Sequence, residues 1–175
     1  MSRIDKLEKH KGMPIPFIVY RDKENFPHFK INDDKKVDDC IMNRKCSICG
    51  EKMESDMWLI GGPMSAFHPR GAYIDIPVHK ECGVFALKNC PYMAYTKYES
   101  KIPHGKLDLK IDSLELFNPT QTSDRLKYFV FIKITDYMVV AKGHQRFVYP
   151  NKPYAEVEYW RDGNQLTKEE AEAYV

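Results

Sequence analysis

Two short cysteine–histidine pairs constrain this chain more than anything else in it. Cys46 and Cys49 stand in C-x2-C spacing with Gly50 directly behind them, and His79 and Cys82 stand in H-x2-C spacing. A C-x2-C turn aims two thiolates at one point, and a glycine after it relieves the backbone where a side chain would clash. Residues three apart on a helix share a face, so an H-x2-C pair at a helix start also presents two donors together. Residues 50–78, twenty-nine in all, separate the pairs. A hairpin or long loop can return across that gap. Three thiolates and one imidazole make a soft, four-donor set, which points to a closed structural zinc site. The expected core is a treble-clef-like finger, with a knuckle giving two ligands and a helix N-terminus giving two more.

Other readings of the cysteines are weaker. A thioredoxin-type redox pair sits between a strand and a helix in a βαβ setting, and CSICGEKM does not read as a helical continuation. The chain has five cysteines, so one or more lie outside the ligand set. Cys90 falls at a helix end and Cys40 in a short helical stretch. Both read as small buried hydrophobes.

The rest of the chain supports an ordinary globular protein. It has 175 residues, 43% hydrophobic and 30% charged, with a formal charge of +2. That length suits one domain, or one with an appended lobe, and buries a real core. So small a net charge creates no global field for nucleic acid or anionic membrane, so either would need a local patch. No apolar run approaches the ~20 residues of a membrane helix. The opening MSRIDKLEKHKG has no apolar segment of a secretory signal, and a cytoplasmic location is expected.

Along the chain, the first dozen residues suggest a short helix or a loose arm. IPFIVY and HFKIN read as paired strands, and Asp33 or Asp34 as the cap of a helix through Met42. MWLIGG reads as a strand, and GPMSAFHPRGAYIDIP as a long loop. HKECGVFALKNC reads as a helix that CPYM ends, because Pro91 removes a backbone donor. KLDLKIDSLELF, KYFVFIKITDYMVVA and YAEVEYW read as antiparallel strands. Thr167 and Glu170 form a capping box for a last helix. The fold class is therefore α+β: zinc-finger core plus antiparallel sheet. Residues 1–99 hold the finger region and residues 100–175 the β-rich part, sharing one core.

Catalytic motifs are absent: there is no G-x-S-x-G, phosphate-binding loop or Rossmann fingerprint. His68 and Asp75, in the loop before His79, raise an HNH-type nuclease as an alternative. However, His79 is already assigned to zinc and no further histidine completes such a site, so no catalytic residue is assigned. Basic and aromatic residues mix between Lys88 and Lys110, with Lys97, Lys101 and Lys106 the candidate contacts to DNA or RNA. Lys142, His144 and Arg146 with Phe147 and Tyr149 form a second such cluster. Aromatic residues in the second half would equally serve a protein partner.

The ordered series PFIVY, PHFKIND, CSICGEKM, GGPM, HKEC, CPYM and VEYWRDGNQLTKEEAEA resembles a family of uncharacterised small proteins of bacteriophages, actinobacterial genomes and mobile elements. The resemblance covers most of the chain. It places the family's Cys/His pattern on Cys46, Cys49, His79, Cys82 and Cys90. Members with extra cysteines carry them where this chain has Ser65 and Val78, which implies that those positions are not required ligands. It implies a phage or mobile-element origin and a bacterial host cytosol, and brings no known activity. The expectation is a non-enzymatic, zinc-stabilised binding protein, with nucleic acid or a host defence or transcription protein as its partner.

Overall fold

The computed structural model describes residues 1–94 and 126–174, the side chain of Tyr92 excepted. Its core is a four-stranded antiparallel sheet in the order β10-β9-β6-β5. β5 (Met57–Gly61) comes from the first half of the chain. β6 (Phe129–Ile134), β9 (Glu156–Arg161) and β10 (Asn164–Leu166) come from the second. The sheet was expected from the second half alone, yet β5 is one of its edges, paired with β6 from Met57↔Ile134 to Gly61↔Val130. Alternation fails in these two strands for a physical reason. β5 and most of β6 are buried on both faces, because helices and loops cover both sides. Val130, Phe131 and Ile132 are wholly inaccessible, and Trp58 stacks against Phe131 with ring centroids 4.6 Å apart.

Among the described residues, three two-stranded ribbons accompany this sheet: β1 (Lys9–His10) with β2 (Met13–Pro14), β3 (Val19–Arg21) with β4 (Pro27–Asn32), and β7 (Tyr137–Lys142) with β8 (Gln145–Pro150). The expected pairing of the first two hydrophobic runs is present, with β3 shorter than IPFIVY and a bulge between Val19 and Tyr20. The β-rich stretch after Lys127 divides into β6 and β7 around Asp136, whose carboxylate accepts from the amide of Tyr137 at 2.9 Å. The β7–β8 ribbon joins the body through a bridge in which Tyr73 and Val148 exchange backbone hydrogen bonds of 2.9 and 2.7 Å.

The helices follow their caps. α1 (Asp34–Asn43) starts at Asp33, whose side chain accepts from the amides of Lys35 and Lys36. α5 (Lys168–Glu172) carries the full Thr167/Glu170 capping box. α3 (Lys80–Asn89) starts at His79 and ends at Cys90. Two segments differ from expectation. GGPMSAF is not all loop, because Pro63 opens the short helix α2 (Pro63–Phe67), where its missing amide costs nothing. Pro91 likewise ends α3 and at once begins α4 (Pro91–Ala94). The N-terminal residues are not a loose arm: Ile4 is buried in the core and Leu7 packs against it. No described helix is long and apolar enough to cross a membrane. The strand expected at KLDLKIDSLELF lies outside the described residues.

Candidate metal centre

The knuckle is built by backbone bonds before any metal is considered. Lys45 and Lys52 bridge as an antiparallel pair, Cys46 and Glu51 are joined by an N–H···O bond of 2.9 Å, and the amide of Gly50 donates to the Cys46 carbonyl at 2.8 Å. Gly50 sits at φ +75°, and a Cβ there would meet the Phe17 ring at 2.7 Å. Only glycine satisfies both conditions. The second pair arrives by tertiary pairing. Trp58 in β5 and Val78 exchange backbone bonds of 2.8 and 2.9 Å, which sets His79 and the first turn of α3 beside the knuckle. Gly83 lets α3 approach the sheet, since a Cβ there would collide with the Phe131 ring.

The four expected ligands converge. One donor atom each from Cys46, Cys49, His79 and Cys82 lies within 4.8 Å of every other. A tetrahedral ion with bonds of about 2.0–2.3 Å has ligand–ligand edges of about 3.4–3.8 Å, so small movements close the shell. Cys46, Cys82 and His79 are buried, and Cys49 is half-buried. The imidazole is oriented as a ligand requires. Nδ1 lies 3.3 Å from Cys49 Sγ, while Nε2 faces the Lys52 carbonyl at 3.3 Å. With Nε2–H donating to that carbonyl, the Nδ1 lone pair points at the sulfurs. The His79 amide donates to Cys46 Sγ at 3.5 Å.

Crowding of sulfur sets the ionisation of the thiols. Cys46 is held far below the usual thiol range, chiefly by the hydrogen bond from Cys49 and then by that from Cys82. The same contact with Cys46 drives Cys82 far up and pushes Cys49 up to about 11. A dication at the centre would displace the protons that Cys49 and Cys82 still hold. Outside the shell, Arg3 ties the two halves together. Its Nε donates to Glu51 of the knuckle at 3.0 Å, and its Nη1 donates to Glu81 of α3 at 3.2 Å.

The remaining candidates fare differently. Cys40 is fully buried, and its thiol is pushed up to about 12 by burial, as a core residue would be. Cys90 is a half-buried helix cap and is not in the four-donor group. Lys97, Lys101 and Lys106 lie outside the described residues. In the second basic–aromatic cluster Phe147 is buried, and Arg146 is engaged by Asp38 at 3.0 Å and by the carbonyls of Gly143 and Gln145. His68 accepts from the amide of Arg70.

One surface went unread in the sequence. Phe29 and Ile31 alternate in β4 as an inward face would, yet both are exposed, with Phe26 and Tyr20 beside them. Their rings form a chain. His10 meets Phe26 edge-on at 4.9 Å and Phe29 at 6.3 Å, and His28 lies 5.5 Å from Phe26 and 5.7 Å from Tyr20. His28 is fixed by Asp22 at 2.9 Å, a bond that also holds the Asp22 carboxyl below its ordinary range. Exposed Lys9, Lys11, Lys23 and Lys35 belong to the same segments. The signal available was the density of rings and lysines between His10 and Lys36.

No protein-family model, curated protein or solved structure matches this chain.

Proposed function

We propose that this is a non-catalytic binding protein, stabilised by a structural zinc ion in a treble-clef-like finger, that takes single-stranded nucleic acid on the ring cluster of its N-terminal ribbons. Zinc is favoured by the donor chemistry: three thiolates and an imidazole suit a tetrahedral, borderline-soft ion, and four protein ligands leave no open position for catalysis. The knuckle, the return through β5 and Val78, and the start of α3 support the treble-clef reading.

The observation that carries the binding reading is the exposed ring chain of Tyr20, Phe26 and Phe29 flanked by lysines. Bases stack on such rings without regard to sequence, and lysines answer the phosphates. The motif resemblance adds a phage or mobile-element setting. A host-protein partner is the second reading, favoured by exposed Met13 and Ile31 within the same patch, since aliphatic side chains suit a protein interface better than a base.

Titration of the zinc-loaded protein with labelled single- and double-stranded oligonucleotides across a salt series separates these. Single-strand binding that falls steeply with salt is expected. Phe26→Ala and Phe29→Ala each weaken it by about 1–3 kcal/mol. Absence of binding at low salt removes the nucleic-acid reading and leaves the protein partner, for which capture from host lysate with the same two variants as controls is the next measurement.

A further inference from the structure

A recess of about 430 Å³ adjoins the ring chain, and Phe29 belongs to both: it lines the recess, and its ring lies 6.3 Å from that of His10. The deep wall is apolar. Val19, Ile60, Ile76 and Val78 are each buried, and backbone pairing holds two of them in place, Ile60 opposite Phe131 and Val78 opposite Trp58. Ser47 and Ile48 of the knuckle close one side. The size falls in the range of small-molecule sites, which are mostly apolar with a few placed polar groups.

The rim is polar and wet. Asn32, Asp34 and Asp75 line the opening and are exposed, so water solvates them. Among the described lining residues the permanent cation is Arg146, and its guanidinium already bonds the Asp38 carboxylate, at 3.0 and 3.5 Å. The rim therefore offers hydrogen-bond acceptors around an apolar floor. Phosphate is repelled by such a rim and belongs on the exposed lysines of the ribbons, Lys9, Lys11 and Lys23. A nucleobase matches both parts. Its faces suit the apolar wall, and its edge can take the place of the water on the rim groups. Bases splayed out of a single strand are held in this way, with faces against protein and edges hydrogen-bonded. Guanine suits carboxylates best. Its N1–H and N2–H stand side by side, so one carboxylate accepts both, whereas thymine turns two carbonyl oxygens to the same edge.

We propose that the recess takes one unstacked guanine of the single strand that crosses the ring chain. Phe29 marks where the strand passes from one to the other, the buried aliphatic wall covers the base, and Asp34 and Asp75 supply the acceptors for its edge. This base preference rests on the single-strand reading of the ring chain, a surface that otherwise stacks any base.

The test titrates the zinc-loaded full chain with three labelled oligonucleotides of one length: all thymidine, thymidine with one central guanine, and the same strand with an abasic residue in place of the guanine. The guanine strand should bind about tenfold tighter than the other two. In amide-resolved NMR it alone should shift Ile60, Ile76 and Val78. The double variant Asp34→Asn with Asp75→Asn removes negative charge and should tighten all three strands, yet bring their affinities to within about twofold of one another. Equal affinity of the three strands for the unaltered protein, with Ile60, Ile76 and Val78 unmoved, overturns the guanine site and leaves stacking on the ring chain intact. So does a guanine preference that survives the double substitution. If no strand binds at low salt, the single-strand reading falls and the guanine site with it.

Discussion

The metal centre and the recess lined by Val19, Ile60, Ile76 and Val78 share the knuckle wall of Ser47 and Ile48, but they treat their polar groups in opposite ways. At the metal centre three sulfurs and an imidazole face one another; the His79 amide donates to Cys46 Sγ, and the far side of the ring faces the Lys52 carbonyl. An ion shared between them would satisfy them together, and binding it would contribute directly to folding. In the recess, Asp75 stands at an exposed position, with no partner among the described residues, and water solvates its carboxylate. One region draws its polar groups together inside the fold, and the other leaves them to solvent.

The largest effect that would break this contrast is loss of a ligand. Cys82→Ser removes a donor from a closed shell whose metal binding is worth on the order of 10 kcal/mol, comparable to the whole stability of a domain. The variant should carry no stoichiometric zinc and show no cooperative melt by circular dichroism. Cys40→Ala, equally buried, should keep its zinc and lose only about 1–2 kcal/mol, because it merely vacates space. A Cys40→Ala protein that loses metal would show the ligand set to be wrong.

The seat of α3 comes next. Gly83→Ala places a methyl group against the Phe131 ring and should cost about 1–3 kcal/mol by overpacking. Zinc should remain bound, since the helix start is held independently by Val78 and Trp58. Chemical denaturation with parallel metal analysis measures both halves of this expectation.

Arg3→Ala sharpens the account of how the two ligand pairs are held together. It cuts the ties to Glu51 and Glu81, which are partly exposed, so about 0.5–1 kcal/mol of stability should go. The more telling readout is faster zinc transfer to a chelator, because the knuckle and helix then separate more readily. An unchanged transfer rate would mean that the arm is only packed against the site.

The smallest effect concerns pH at Asp75. Its folded pKa of about 6 lies above the ordinary value of 3.8. The protonated carboxyl thus favours the folded state, and that contribution is complete below about pH 4 and lost as pH rises through 6. Asp75→Asn should therefore raise the melting temperature slightly at pH 7.5, and the difference should close by pH 4. Asp75 is exposed, so this gain is small. A destabilised Asp75→Asn protein at pH 7.5 would show that the carboxylate has a favourable partner in the folded state.

Much of the metal centre was legible in the sequence because its geometry is local. C-x2-C-Gly closes its own turn through the bond from Gly50 to Cys46, and H-x2-C needs only a helix start to bring its two donors together. The caps of α1 and α5 were legible for the same reason, each being a contact across three residues. Where neighbours far along the chain decide, reading failed. Phe29 and Ile31 alternate as core residues do, but β3–β4 is a two-stranded ribbon that leaves them exposed. Arg146 and Phe147 resembled a basic–aromatic patch until Asp38 took the guanidinium and the body took the ring.

The sequence by itself determined that four soft donors come in two pairs able to share an ion, because spacing fixes direction over a single turn. Only the tertiary structure decided that β5 crosses into the sheet of the second half and that a ring chain faces outward. Those outcomes depend on which distant surfaces meet, and burial and charge pairing are properties of that meeting rather than of any residue's neighbours in the chain.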